Sequence, residues 1–353
     1  MKEKMKRISR SKIVHTASAS SGVLALALIT SACGSSGSSS ATTTAAKAGA
    51  TTTTAASAPI SITIGDTAIG AGYADIYVGI LDGIFAKNGL NVKLVKLNTS
   101  SQLVPALVGG SVQIGVGVAD DTAAAILKGI PLQFIGLSEG TYNLEMWGDA
   151  SIKSVQGIVG KKVALSAPDS ESDFGLTALL AKNNIPETSV KRVYTGSIPG
   201  MVSALESGSA NALLTQPPQG TSTGAKGFVK IADLSNLPFA VGSYTVTAAY
   251  AKANPTVLQR WANAEAQNLA FIHDHPNKTI AAIEADSGVT DPALAKYAYN
   301  FFLNVWTKTP VVKTSLIQDA FTRAAAKAKK TAPADVTQYI DNTFAQNATN
   351  SAG

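Results

Sequence analysis

The chain has 353 residues, 45% hydrophobic and 15% charged, with one cysteine, three histidines and a formal charge of +6. That length predicts two domains, each able to bury a core, and the apolar fraction excludes a wholly disordered chain. A single cysteine excludes a disulfide framework and every multi-cysteine metal site, and three histidines leave little for an all-protein metal centre.

Residues 1–12 carry Lys2, Lys4, Lys6, Arg7, Arg10 and Lys12 against Glu3 alone, a net of +5. A short apolar run at 23–29 follows, then Thr30-Ser31-Ala32-Cys33. A basic start, an apolar stretch too short to span a bilayer and small residues before a cut describe an export signal, here 1–32. Its loss would leave a chain of about +1, so the basic balance describes an address and not a nucleic-acid partner. The position of the only cysteine resembles a bacterial lipoprotein signal, although such signals mostly carry Leu where this chain has Thr30. That resemblance implies lipidation of Cys33 and an anchor on the outer face of the bacterial cytoplasmic membrane. Residues 34–58 are Ser, Thr, Ala and Gly apart from Lys47, a composition that predicts a flexible tether at 33–58.

From Pro59 onward apolar runs alternate with amphipathic stretches. Strands are predicted at 60–64, 92–97, 112–118 and 132–137, with helices at 74–88, 100–108 and 122–128 between them. The first helix is expected to bury Ile76, Tyr77, Ile80, Leu81, Ile84 and Phe85 and to close at Asn88-Gly89. The order returns as strands at 162–166, 190–194, 212–215 and 228–231, with helices at 171–184 and 199–207. Strands alternating with helices argue for parallel sheets. A strand at 242–250 follows, then helices at 255–273, 278–286, 292–305, 316–329 and 334–345. His273 and His275 end one of these helices, where cationic side chains suit the negative helix end. Arg323, Lys327, Lys329 and Lys330 make a basic helix face that is read as solvated.

The two passes overlay at an offset of 98 residues, with ten identities in the 38 positions from Val92 to Gly129 and no gap. Among them Val104, Ala106 and Leu107 fall on Val202, Ala204 and Leu205, and Gly110-Ser111 falls on Gly208-Ser209. The expected organisation is a first lobe from 59–148 and 240–353 and a second lobe from 149–239, each an α/β sheet.

The run Tyr77-Val78-Gly79-Ile80-Leu81-Asp82-Gly83-Ile84-Phe85-Ala86-Lys87-Asn88-Gly89-Leu90 resembles the helix and turn of bacterial ABC-transporter substrate-binding proteins. The closest branch is that for aliphatic sulfonates, taurine, nitrate and the thiamine pyrimidine precursor. Val108-Gly109-Gly110-Ser111-Val112 and Val159-Gly160-Lys161-Lys162-Val163 are similar to further segments of that family, and Asn254-Pro255 and His275-Pro276 match its turns between tail helices. The resemblance implies a two-lobe periplasmic-binding-protein fold of type II, with parallel-rich sheets, flanking helices and a helical C-terminal tail. It implies a monomer that captures a small-molecule ligand by hinge closure and works with ABC permease and ATPase subunits. No enzyme activity, cofactor or metal is expected. The family's pyrimidine synthases depend on a cysteine-rich motif that this chain lacks, and a non-transport surface lipoprotein remains an alternative.

In open parallel sheets ligands bind outside the carboxyl ends of strands, at helix N-termini. Four segments fit. The loop at 65–73 offers Asp66, Thr67 and Tyr73, and the segment at 119–122 offers Asp120, Asp121 and Thr122. The segment at 166–172 offers Ser166, Asp169, Ser170 and Ser172, and the one after it in the repeat offers Thr215 and Gln216. Tyr73 and Tyr244 are candidate aromatic walls. Family members commonly carry an acid where Gln216 stands. Asp121, Asp169 and Ser170 are equally what helix caps look like. Asp66, Asp120, Asp121, Asp169, Glu171 and Asp173 lie in or beside these loops, and no Lys or Arg does, which favours a neutral or nitrogen-bearing ligand over a sulfonate.

Overall fold

The computed structural model describes residues 58–67, 71–97 and 102–351. The expected signal, Cys33 and all but the last residue of the tether lie outside them. Among the described residues ten strands form two sheets. The first holds β1 (Ile60–Asp66), β2 (Leu90–Lys96), β3 (Ile114–Gly117) and β4 (Leu132–Leu137). The second holds β5 (Glu145–Gly148), β6 (Lys162–Leu165), β7 (Lys191–Tyr194), β8 (Ala212–Thr215) and β9 (Val229–Asp233). The last strand, β10 (Ser243–Thr247), returns to the first sheet.

Strand order is β2-β1-β3-β10-β4 in one sheet and β7-β6-β8-β5-β9 in the other. In each, the three strands on one side run parallel, and the fourth is antiparallel to both of its neighbours. The fourth strand is exchanged: β5 follows the first sheet in sequence but pairs in the second, and β10 does the reverse. The expected boundary after residue 148 therefore falls one strand too late, because Glu145–Gly148 bonds to β8 and β9. The two-sheet α/β arrangement itself is the one the resemblance implied.

The helices are α1 (Ala74–Leu81), α2 (Ile84–Lys87), α3 (Leu103–Val108), α4 (Ala119–Leu127), α5 (Glu171–Lys182) and α6 (Ile198–Glu206). The tail contributes α7 (Ala248–Ala253), α8 (Pro255–Asp274), α9 (Pro276–Ser287), α10 (Pro292–Phe302), α11 (Thr314–Lys327) and α12 (Thr343–Ser351). The helix expected at 74–88 is two, broken where Gly83 takes the left-handed conformation at φ +70°. Its buried face is also rotated. Ile80 and Leu81 are exposed, while Asp75 and Gly79 are buried. The reason is α8: a Cβ on Gly79 would lie 2.7 Å from the Asn268 amide, so only glycine lets the two helices approach.

Two further expectations shift. The strand at 242–250 stops at Thr247, whose hydroxyl caps α7 by accepting from the Tyr250 N–H at 3.1 Å. The helix at 334–345 is largely absent, since Asp335 turns the chain by accepting from the Thr337 N–H at 2.8 Å, and Ile340 then bridges to Phe134 of β4. Only α12 remains of it.

The repeat is visible in detail. At the offset of 98, Leu103 and Leu107 of α3 and Met201 and Leu205 of α6 are the buried positions of their helices. Gly110 and Gly208 turn the chain after them at φ +71° and +73°. Beneath the first sheet, Trp261 of α8 packs against Tyr244, ring centroids 4.8 Å apart, among Ile64, Ile76, Val116 and Val246. The second sheet has its own apolar layer, from Val163, Leu165, Leu176, Leu180 and Leu214.

Candidate ligand-binding site

Two connectors join the sheets, one from β4 to β5 and one from β9 to β10. They run antiparallel and bond to each other: Ser138 N to Gly242 O at 2.8 Å, Val241 N to Glu139 O at 3.2 Å, and Tyr142 N to Leu237 O at 3.1 Å. Among the described residues this paired crossing is the only covalent passage between the two sheets, and such pairs of connectors act as hinges.

The connector from β4 carries Glu139 and Asn143, both buried. Asn143 donates from its side-chain amide to Glu139 Oε2 at 2.8 Å, and its backbone N–H donates to Glu171 Oε1 at 3.3 Å. Glu171 opens α5, which follows the carboxyl end of β6. From the other side comes the segment that follows the carboxyl end of β1. A Cβ on Gly72 would lie 2.7 Å from Glu139 Oε1, so glycine is what admits that carboxyl against the backbone. The carbonyl of Gly72 is fixed by Trp306 Nε1 at 2.7 Å, and the buried Tyr73 ring comes next in the chain. Segments from both sheets thus converge on one pair of connector residues.

The electrostatics are acidic. Burial pushes the Glu139 carboxyl well above its ordinary range, and the charge of Glu171 raises it further. Burial pushes Glu171 up to about 8, against the opposing hydrogen bond from the Asn143 N–H. Tyr73 is held well above the ordinary phenol value by burial and by Glu139, Asp66 and Glu171. Glu139 Oε1 and Asn143 Oδ1 are buried without a hydrogen-bond partner among the described residues.

The expected site residues divide. Tyr73 belongs to this cluster. Asp66 lies near it but is buried in an ion pair with Lys96 at 2.5 Å, and Lys96 also holds Asp286 of α9 at 2.8 Å. Thr67 donates to the Val116 carbonyl at 3.3 Å. Asp120, at the start of α4, is gripped by both sides of the Arg323 fork, at 2.7 and 2.9 Å. Asp121 is half-buried beside it. Thr122 faces inward and bonds to Thr245 of β10 at 3.1 Å. Ser166, Ser170 and Ser172 interlock at 3.0 to 3.1 Å, and Ser170 caps α5 through the Asp173 N–H at 3.4 Å. Asp169 is left-handed at φ +61° and pairs with Lys327. Thr215 and Gln216 are buried at the end of β8, and Thr215 Oγ1 has no hydrogen-bond partner among the described residues.

Tyr244 is a correction. It is fully buried in the first sheet's core and donates to Asp75 Oδ2 at 2.6 Å, so it walls no cleft. The basic face of α11 is another. Arg323 and Lys327 are not simply solvated but hold Asp120 and Asp169, and Lys330 donates to the Leu127 carbonyl at 2.9 Å. Arg192 likewise holds Asp173 at 2.8 Å. Four of the six loop acids therefore have cations brought from elsewhere in the chain. Glu139 and Asn143 escaped the sequence reading because a connector between two sheets has no strand-then-helix signature. A charged residue two positions after the apolar run of β4 was the available signal.

A profile of the family described as NMT1/THI5 like matches residues 71–279, more than half of the chain. The chain belongs to the NMT1/THI5-like family. No curated protein matches its sequence. Among solved structures, the periplasmic aliphatic sulphonate binding protein SsuA from Escherichia coli superposes with a TM-score of 0.66 at 18% identity, over 80% of this chain and 98% of that one. The alkanesulfonate-binding protein SsuA from Xanthomonas axonopodis pv. citri, bound to MOPS, gives 0.65 at 16% identity, over 82% and 100%. The desulfurization enzyme DSZB gives 0.64 at 14% identity, over 83% and 100%. At these identities the likeness is one of fold, which binding proteins and an enzyme share.

Proposed function

We propose that the chain is the solute-binding component of an ABC importer, capturing a small organic molecule between its two sheets and handing it to a permease with its ATPase subunits. The observation that carries this reading is the convergence of the segments after β1 and β6 on Glu139 and Asn143 of the paired connectors. A molecule held there would touch both lobes and the hinge together, which couples binding to closure. The fold relatives named for sulfonate binding support the class of activity, and they say nothing of this chain's own ligand. The residues brought together, Tyr73, Glu139, Asn143 and Glu171, include no nucleophile with a neighbouring base, which supports a binder over an enzyme. In this reading residues 1–32 are an export signal and Cys33 carries a lipid that anchors a monomer to the outer face of the cytoplasmic membrane. No described helix is long and apolar enough to cross a membrane, so passage of the solute would belong to the permease.

Small-angle scattering tests the core of the proposal: a bound solute should compact the protein measurably, and a chain that binds solutes without compaction would not be a hinged receptor. Native mass spectrometry of gently purified protein should show a co-purified small molecule. Intact-mass measurement of the membrane fraction should show a lipidated Cys33.

A further inference from the structure

Resting on that reading of the cleft, we infer that its ligand is an organic cation with at least two N–H donors, a protonated amine or an amidinium, and not a sulfonate or nitrate. Two buried acceptors lack a donor among the described residues where the segments meet. Glu139, Asn143 and Glu171 bring five side-chain oxygens to the convergence point. Asn143 donates its side-chain amide to Glu139 Oε2 and its backbone N–H to Glu171 Oε1, which spends both on the carboxyls themselves. Glu139 Oε1 and Asn143 Oδ1 stay buried with no donor among the described residues, although both side chains are more than nine-tenths buried. Native interiors rarely tolerate such atoms, and each marks a place where a donor belongs.

Charge points the same way. The carboxyls felt by Glu139 are those of Glu171, Asp75 and Asp66. Lys96 is already committed to Asp66 and Asp286, and Arg323 to Asp120. A sulfonate or nitrate offers acceptors only, so it would leave Glu139 Oε1 and Asn143 Oδ1 without the donors they lack. An ammonium or amidinium supplies both the missing donors and the missing charge. A metal ion is a poorer fit, because no group of three or more His, Cys, Asp or Glu is arranged to hold one among the described residues.

Binding such a cation requires ionised carboxylates, and burial holds Glu171 protonated up to a pH of about 8 in the ligand-free protein. Binding is therefore linked to proton release, and affinity should rise about tenfold per pH unit between roughly 6 and 8 for one proton released. Titration calorimetry on the signal-free chain with putrescine, agmatine and guanidinium, against ethanesulfonate and nitrate, tests this. The expected result is binding of at least one cation, with that pH slope and with proton release read from buffers of different ionisation enthalpy. Glu139→Gln and Glu171→Gln should each weaken it at least tenfold while the protein stays folded. Binding of ethanesulfonate or nitrate without any of the cations overturns the ligand class and leaves the solute-receptor reading standing. Failure of all three cations at millimolar concentration also overturns it, and the receptor reading is then decided separately by whether native mass spectrometry finds a co-purified molecule. Cation binding with no pH slope overturns the assignment to Glu139 and Glu171.

Discussion

Gln113 and Asn211, 98 residues apart, play equivalent parts, since the side-chain carbonyl of each accepts a backbone N–H from the neighbouring parallel strand, Thr63 at 2.8 Å and Lys162 at 3.2 Å. Their own backbone N–H groups donate in return to Thr63 O at 3.0 Å and Lys162 O at 2.8 Å. The two residues differ in length by a methylene, yet the reciprocal pair of bonds that starts the third strand of each sheet is retained. The internal repeat thus extends to hydrogen bonding at positions where the residues are not identical.

The Arg323–Asp120 pair should be the most costly ion pair to break from one side. Asp120 is nearly buried and would be left charged and alone, so Arg323→Met should destabilise by about 3 kcal/mol in chemical unfolding. Adding Asp120→Asn should restore part of that loss. Lys327→Ala, which removes a bridge exposed at both ends, should cost less than about 1 kcal/mol. Equal costs for the two single variants would contradict the assignment of burial.

Stability should fall as pH rises from about 5 to 8. The folded state holds the Glu171 proton up to about 8 because of burial, whereas an unfolded chain releases it near 4.5. Such a group contributes stability that is complete below the unfolded value and lost as pH climbs through the folded one. Burial raises Glu139 in the same direction. Glu171→Gln should flatten the profile of melting temperature against pH, and an unchanged slope would show that Glu171 is not the group responsible.

Tyr244→Phe separates core from cleft. The hydroxyl satisfies Asp75 inside a group that also includes Glu265, and both carboxyls are pushed up by burial. Its loss should cost about 1 to 3 kcal/mol of stability. Ligand affinity should be unchanged within error, since the ring faces Trp261.

Gly72→Ala should act in the opposite manner. The new methyl would press on Glu139 Oε1 and displace the connector carboxyl, so ligand affinity should drop at least tenfold. The measurement is calorimetric, with the melting temperature recorded alongside to show that the fold persists.

Much of this architecture is legible in the residues. The spacing of Leu103 and Leu107, and of Met201 and Leu205, announces two equivalent helices, and the strand ends that carry Asp66, Asp120 and Ser166 follow from the alternation of apolar runs. What escapes is whatever depends on segments distant in sequence. Asp66, Asp120 and Asp169 look like acids at a cleft mouth until Lys96, Arg323 and Lys327 are folded against them. Tyr244 shares a face of β10 with Val246, and what marks that face as core, and not as a cleft wall, is Trp261 packed on it from the distant α8. Glu139 and Asn143 stand on a connector, where neither the two-residue nor the 3.6-residue period applies.

The exchanged strands also set a timetable. Within its sheet β4 bonds only to β10, and β9 bonds only to β5. As the chain is made, Leu132–Leu137 waits for its sheet partner until Ser243–Thr247 has emerged, after the whole second sheet has been spelled out. A chain cut between the two would strand β4 and open the flank of β3, leaving unpaired backbone ready to join another molecule. Each half is thus completed by a piece made during the other's turn, and the molecule becomes whole only near the end of its synthesis.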